Sequence, residues 1–164
     1  MPDLVCDTSA IQYLHQLGLL HVLRELSERV LLPPAVRDEL DVGRQAGVDL
    51  PELTRTPWLE IVHPCGEKDV RLLSDMGPGE TGVMMLALET EGLVAVLDDR
   101  LARKRAALLR LSFTGTLGLI LDAKKAGLVP AVVPILDRLE TLQFRLAPRT
   151  RRLVLRCAGE AEAD

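Results

Sequence analysis

Leu93-Val94-Ala95-Val96-Leu97-Asp98-Asp99 is an unbroken apolar run that stops in two acids. Five apolar residues without a polar interruption suit a strand buried on both faces, as in the middle of a parallel sheet. Near the start of the chain, Leu4-Val5-Cys6 repeats the pattern on a shorter scale and ends in Asp7-Thr8-Ser9-Ala10. That ending reads as a buried strand passing through a polar turn into a helix, because Asp, Thr and Ser all suit a helix N-cap.

The segments between and beyond these strands carry helical spacing. Ile11, Leu14, Leu17 and then Val22, Leu23, Leu26 recur at helical intervals, with Gly18 as the break. Val30-Leu31-Leu32 is a further strand stopped by Pro33-Pro34, and proline in a first turn predicts a helix over residues 35–44 with Val36 and Leu40 facing inward. Residues 42–64 read mostly as loop with a short strand at 59–62. Residues 67–76 read as a polar helix, broken by Gly77-Pro78-Gly79, and a second helix follows from Glu80 to Glu91. Beyond Asp99 come a basic helix to about Arg110, a strand near 111–113, a helix opened by Thr114-Gly115-Thr116, and a helix begun by Pro134. An edge strand is predicted at 144–146. Strands alternating with helices give an α/β class, with a mostly parallel sheet covered on both faces. The main domain is expected over residues 1–147, with 148–164 as a basic segment and acidic tail.

Composition narrows the classes. The 164 residues fill about one domain, and 48% hydrophobic with 27% charged residues excludes disorder. Aromatics make up only 2%, so the core must be aliphatic and recognition by base stacking is not expected. The formal net charge of −4 is wrong for a protein that coats DNA. No apolar run reaches the ~18–20 residues that span a bilayer, and no signal-peptide pattern opens the chain. Cys6, Cys65 and Cys157 lie far apart, which fits a reducing, cytoplasmic setting. His15 and His21 stand about 240° apart around a helix, so they cannot share a metal from one face.

Ligands of open parallel sheets sit at the carboxyl ends of strands. Asp7 and the Asp98-Asp99 pair occupy such ends. Glu39 falls at the border of a core-facing stripe, where glutamate is normally avoided, and Glu80 lies in a helix first turn, where the positive end of the dipole favours a carboxylate. Each acid alone is compatible with an ordinary capping or surface role. Gathered at one sheet end they would repel unless a cation compensates them, and hard oxygen donors suit Mg²⁺ or Mn²⁺ better than zinc. Such ions activate water and stabilise charge developing on a phosphodiester.

The ordered combination resembles a PIN domain, in particular the small bacterial and archaeal PIN-like nucleic-acid-binding group. The matching pieces are Val5-Cys6-Asp7-Thr8-Ser9-Ala10, Val36-Arg37-Asp38-Glu39-Leu40, Gly79-Glu80-Thr81, Leu97-Asp98-Asp99-Arg100 with Ala102-Arg103, and Thr114-Gly115-Thr116-Leu117-Gly118-Leu119-Ile120. The resemblance spans roughly residues 4–144. It implies a three-layer α/β/α fold and a Mg²⁺- or Mn²⁺-dependent ribonuclease, the toxin of a toxin–antitoxin pair in many relatives, with RNA as substrate, a small antitoxin protein as partner and a homo-oligomeric state. The family's acids fall on Asp7, Glu39, Glu80 and either Asp98 or Asp99. Thr8, Ser9 and Thr116 resemble its small hydroxyl residues near the site. Arg100-Leu101-Ala102-Arg103 aligns Asp99 with the fourth acid, whereas strand continuity favours Asp98 as the ligand and leaves Asp99 as a helix cap.

Two rival readings remain. Gly77-Pro78-Gly79-Glu80-Thr81-Gly82 spells the glycine fingerprint of dinucleotide-binding folds, but the polar segment before it makes a poor buried strand, and Glu80 would face a pyrophosphate. The other is a PIN fold without catalysis, serving as an RNA-binding or protein-interaction module. Basic residues cluster twice, at Arg100, Arg103, Lys104, Arg105, Arg110 and at Arg145, Arg149, Arg151, Arg152, Arg156. They read either as solvated faces or as groups that hold RNA phosphates beside the metal site, Arg100 and Arg103 foremost.

Overall fold

The computed structural model describes residues 1–66 and 71–160. Five short strands, β1 (Leu4–Cys6), β2 (Val30–Leu32), β3 (Leu59–Ile61), β4 (Val94–Val96) and β5 (Phe113–Thr114), form one sheet in the order β3-β2-β1-β4-β5. Every pairing is parallel. The helices α1 (Thr8–Gln16), α2 (Val22–Leu26), α3 (Pro34–Gln45), α4 (Pro78–Glu89), α5 (Arg100–Leu108), α6 (Thr116–Lys125), α7 (Val133–Thr141) and α8 (Pro148–Cys157) flank it. Leaving β1 the chain builds the sheet toward β2 and β3, and leaving β4 it builds toward β5. The direction therefore reverses between β1 and β4, the place where open α/β sheets form a crevice at the carboxyl ends of their strands.

The main core is aliphatic and centred on this sheet. Val5, Cys6, Leu32, Ala95, Val96 and Leu97 are fully or almost fully buried, and Leu14, Leu40, Val83 and Met84 cover them from the helices. A second apolar cluster owes nothing to the strands. Ile120 of α6, Leu136 and Leu139 of α7, and Val154 and Leu155 of α8 pack together there. The basic segment after residue 147 is thus an amphipathic helix with two buried aliphatic residues, and its arginines alternate with that apolar stripe.

Three sequence expectations need correction. No strand forms at residues 144–146; they connect α7 to α8, the Phe144 N–H bonds the Leu139 carbonyl, and the Phe144 ring packs edge-on against Tyr13 at 4.9 Å. The strand near 111–113 lies at Phe113–Thr114, because Arg110 turns with φ 56° and Leu111 N–H still closes on Ala106 of the preceding helix. The polar helix predicted over 67–76 falls partly outside the described residues, and Arg71–Leu73 is a 3-10 turn. Among the described residues no helix is long and apolar enough to cross a membrane.

One helix contact governs the geometry at the carboxyl end of the sheet. A Cβ on Gly82 would come within 2.6 Å of the Pro33 ring at the head of α3, so the missing side chain lets α4 lie directly on α3. The Gly82→Ala variant must therefore push the helices apart, and overpacking of about 1–3 kcal/mol outweighs the helix-propensity gain of alanine, about 1 kcal/mol. Its chemical-denaturation midpoint is expected to fall below that of the wild type. An unchanged or raised midpoint would mean that the contact is not close.

Candidate active site

Asp7 follows the last residue of β1 and caps α1. Its Oδ1 accepts the Thr8 N–H at 2.7 Å, its Oδ2 accepts the Ser9 hydroxyl at 3.2 Å, and its own N–H bonds the Val96 carbonyl on β4. The side chain is buried, only 5% exposed. Burial above all pushes this carboxyl up to about 7, against the stabilising Thr8 N–H, and the charges of Glu80 and Glu39 raise it further.

Glu39 projects from α3. One oxygen accepts the Thr8 hydroxyl in a short bond and the other accepts the Gly79 N–H at 2.9 Å. A Cβ on Gly79 would lie 2.6 Å from the same carboxylate, so this glycine supplies both a donor and the space for it. Glu80 lies in the first turn of α4, its carboxylate close to Gly77, the residue that caps the helix. Burial raises its pKa, and the charges of Asp99 and Glu39 add to the rise. Asp98 leaves the end of β4 and accepts both the N–H (2.8 Å) and the hydroxyl (2.6 Å) of Thr116 at the start of α6. Burial raises its pKa, while Thr116 and the nearby Arg103 oppose the rise.

Asp7, Glu39, Glu80, Asp98 and Asp99 line one cleft of about 1250 Å³, together with Thr8 and Ser9. Asp99 also caps α5, accepting the N–H groups of Leu101 and Ala102 at 2.8 and 2.9 Å. Thr116 is fully buried, so it fixes Asp98 and has no open face toward a substrate. Arg100 lines the cleft; Arg103 lies over the Phe113 ring, 5.6 Å from its centroid. The glycine fingerprint carries no nucleotide-binding geometry: a 3-10 turn and a loop precede α4, Gly79 serves Glu39, and Gly82 serves Pro33.

Apart from Arg145, sequence reasoning missed the opposite side of this cleft. Gln12 and Tyr13 from α1, and residues 143–147 between α7 and α8, complete the lining. Tyr13 carried a usable signal, since it follows Asp7 on the helix that Asp7 caps. In the 143–147 stretch Arg145 carried one, as a member of a basic cluster; the other residues carried none, because nothing local links them to acids more than forty residues away.

The donor set suits a hard divalent cation. Among the described residues no basic side chain forms an ion pair with Asp7, Glu39 or Glu80, which leaves crowded, part-buried carboxylates without a compensating charge. Also among them, no group of three or more His, Cys, Asp or Glu side chains is gathered as a ready-made cage. Mg²⁺ does not require one, since it is usually held by one or two carboxylates and keeps several waters.

A PIN-domain family model matches residues 3–160. No curated protein matches the chain.

The elevated Asp7 pKa makes a prediction for the metal-free protein. Asp7 titrates at about 7 when folded, against 3.8 as a free carboxyl, so folding takes up a proton between these values. The stability this group supports is full below about pH 3.8 and is lost as pH rises toward about 7. In chelator, the melting temperature should fall between pH 5 and pH 8, and Asp7→Asn should flatten that fall and be the more stable protein at pH 8 by about 1–3 kcal/mol. An equally steep fall in the variant would contradict the assignment.

Proposed function

Because the chain belongs to the PIN-domain family, whose fold is of nuclease type, we propose that the carboxylate cleft hydrolyses phosphodiester bonds of RNA with Mg²⁺ or Mn²⁺. The observation that carries this reading is the convergence of acids from four separate elements. Asp7 and Asp98 come from the ends of β1 and β4, and Glu39 and Glu80 from α3 and α4, onto one cleft. Helix caps alone would not bring a half-buried Glu39 to face them.

Asp7, Glu39, Glu80 and Asp98 are the residues that would hold the ion. When bound, a divalent ion lowers the pKa of water toward neutrality and offsets negative charge on the phosphoryl oxygens. The protein's own share is positional. Thr8 N–H and Ser9 hydroxyl orient Asp7, Thr8 hydroxyl and Gly79 N–H orient Glu39, and Thr116 fixes both oxygens of Asp98. Second-layer bonds of this kind decide which lone pairs remain for a ligand. Asp98 is the ligand of the acidic pair, and Asp99 shapes the start of α5. A toxin role, with a small antitoxin protein as partner and a homo-oligomeric state, belongs to the same reading and rests on the family likeness.

Purified protein should cleave single-stranded RNA in Mg²⁺ or Mn²⁺ and not in chelator. Asp7→Asn should reduce the rate by about a hundredfold or more while keeping the fold, as loss of a transition-state electrostatic group does. Cleavage that persists in chelator would overturn the metal-dependent mechanism. Absence of cleavage, with RNA binding retained, would hand the chain to the non-catalytic reading.

The acidic pair provides a sharper test. Asp98→Asn should weaken Mn²⁺ binding and cleavage strongly, whereas Asp99→Asn should cost little, since asparagine caps a helix about as well as aspartate. Measured side by side, the reverse order would assign the ligand role to Asp99.

A further inference from the structure

The cleft has two unlike sides. One carries the carboxylates. The other is the α7–α8 connection, with Phe144 and Arg145 on the lining and Tyr13 of α1 reaching the same space. Gln143 turns the chain into this connection with φ 63°, a left-handed conformation that ends α7 and directs the following residues along the cleft.

Charge makes this side necessary to any polyanion. The chain carries a net −4 and the cleft contains five carboxylates, so a phosphate strand entering it meets repulsion on the acidic side. Only Arg100 and Arg145 are basic among the described residues that line the cleft. Three other arginines of the two clusters are engaged elsewhere. Arg151 bridges Asp137 and Glu140, Arg105 meets Asp75, and Arg103 lies on Phe113 beside Asp98. Arg145 is exposed, and among the described residues it has no carboxylate partner.

The aromatic content of the cleft is also out of proportion. Tyr13 and Phe144 are two of only four aromatic residues in the chain, and they meet edge to face, with ring planes at 83°. Both are half-buried, their inner edges packed on the second apolar cluster and their outer edges on the cleft. A ring face or edge beside a phosphate-binding arginine is the combination that holds an unpaired nucleotide: the base against the aromatic group and its phosphate on the guanidinium. Bases within a duplex are stacked on their neighbours and cannot make that contact.

We propose that the α7–α8 connection is the substrate-holding side of the cleft, with Arg145 binding a phosphate of single-stranded RNA and the Tyr13–Phe144 pair receiving an adjacent base. The inference rests on the nuclease reading of the same cleft. It assigns Arg145 and Phe144 to substrate positioning and leaves the bond-breaking step to the carboxylate side. The composition-based expectation against base stacking then holds for the chain as a whole and fails at this one place.

The test uses the full chain with Asp7→Asn as a non-cleaving reference, in Mg²⁺, titrated with a fluorescein-labelled single-stranded RNA oligonucleotide across a range of salt. Arg145→Gln should weaken binding and make the slope of log affinity against log salt shallower by about 0.7, the loss of one phosphate contact on a single strand. Phe144→Leu should weaken binding about tenfold with the slope unchanged, as expected for a lost stacking contact. The same sequence annealed into a duplex should bind the reference more weakly and be insensitive to Phe144→Leu. Unchanged affinity and slope in Arg145→Gln, an exposed replacement that does not touch the core, would overturn the inference even if Phe144→Leu perturbed folding. Equal affinity for duplex, or no RNA binding by the reference, would also overturn it. Divalent-dependent cleavage by the wild type, measured separately, shows whether the nuclease reading stands when the inference falls.

Discussion

Like charge crowded at the junction of β1 and β4 is the constraint on which this molecule depends. A carboxylate as buried as that of Asp7 carries a desolvation penalty, and Glu80 and Glu39 add repulsion to it. Among the described residues the fold answers at Asp7 and Glu39 with donors rather than with cations. Backbone N–H groups of Thr8, Gly79 and Thr116, and the hydroxyls of Thr8, Ser9 and Thr116, are spent on Asp7, Glu39 and Asp98. Hydrogen bonds to ionised acceptors are the stronger kind, and they fix direction as well as charge. What they leave uncompensated is net negative charge in a cleft, which is the condition under which a divalent ion binds.

That arrangement requires helix backbones to come unusually close. Gly79 and Gly82 stand three apart on one face of α4, one over Glu39 and the other over Pro33, so α4 runs against α3 in the opposite sense with almost nothing between them. The sheet end alone would supply Asp7 and Asp98. The glycine contact is what adds Glu39 and Glu80, and the buried Thr116 ties the acid of β4 to the first turn of α6. Packing and site geometry are here the same set of contacts.

Much of this was readable from residue order. The apolar runs ending in Asp7 and in Asp98-Asp99 lie where β1 and β4 lie, and Pro33-Pro34 opens α3 as its fixed φ predicts. These signals are local: strand hydrophobicity, capping and proline geometry act within a few residues. The role of Gly79 was hidden because its significance depends on a helix forty residues earlier, and in isolation the same glycines imitate a nucleotide-binding loop. Phe144-Arg145-Leu146 misled for the same reason. An apolar-charged-apolar triplet alternates like an edge strand, but its ring is taken by Tyr13 and it joins two helices packed on the second apolar cluster. Family membership then narrows what the acids do, since fold by itself does not specify chemistry.

The most direct test of the claim that this cleft is a divalent-cation site is anomalous diffraction from crystals equilibrated with Mn²⁺. The account predicts that the strongest peak lies in the cleft within bonding distance of Asp7 and of at least one of Glu39, Glu80 and Asp98, with water completing the coordination. A strongest peak elsewhere on the surface, or an empty cleft at saturating Mn²⁺, would contradict it.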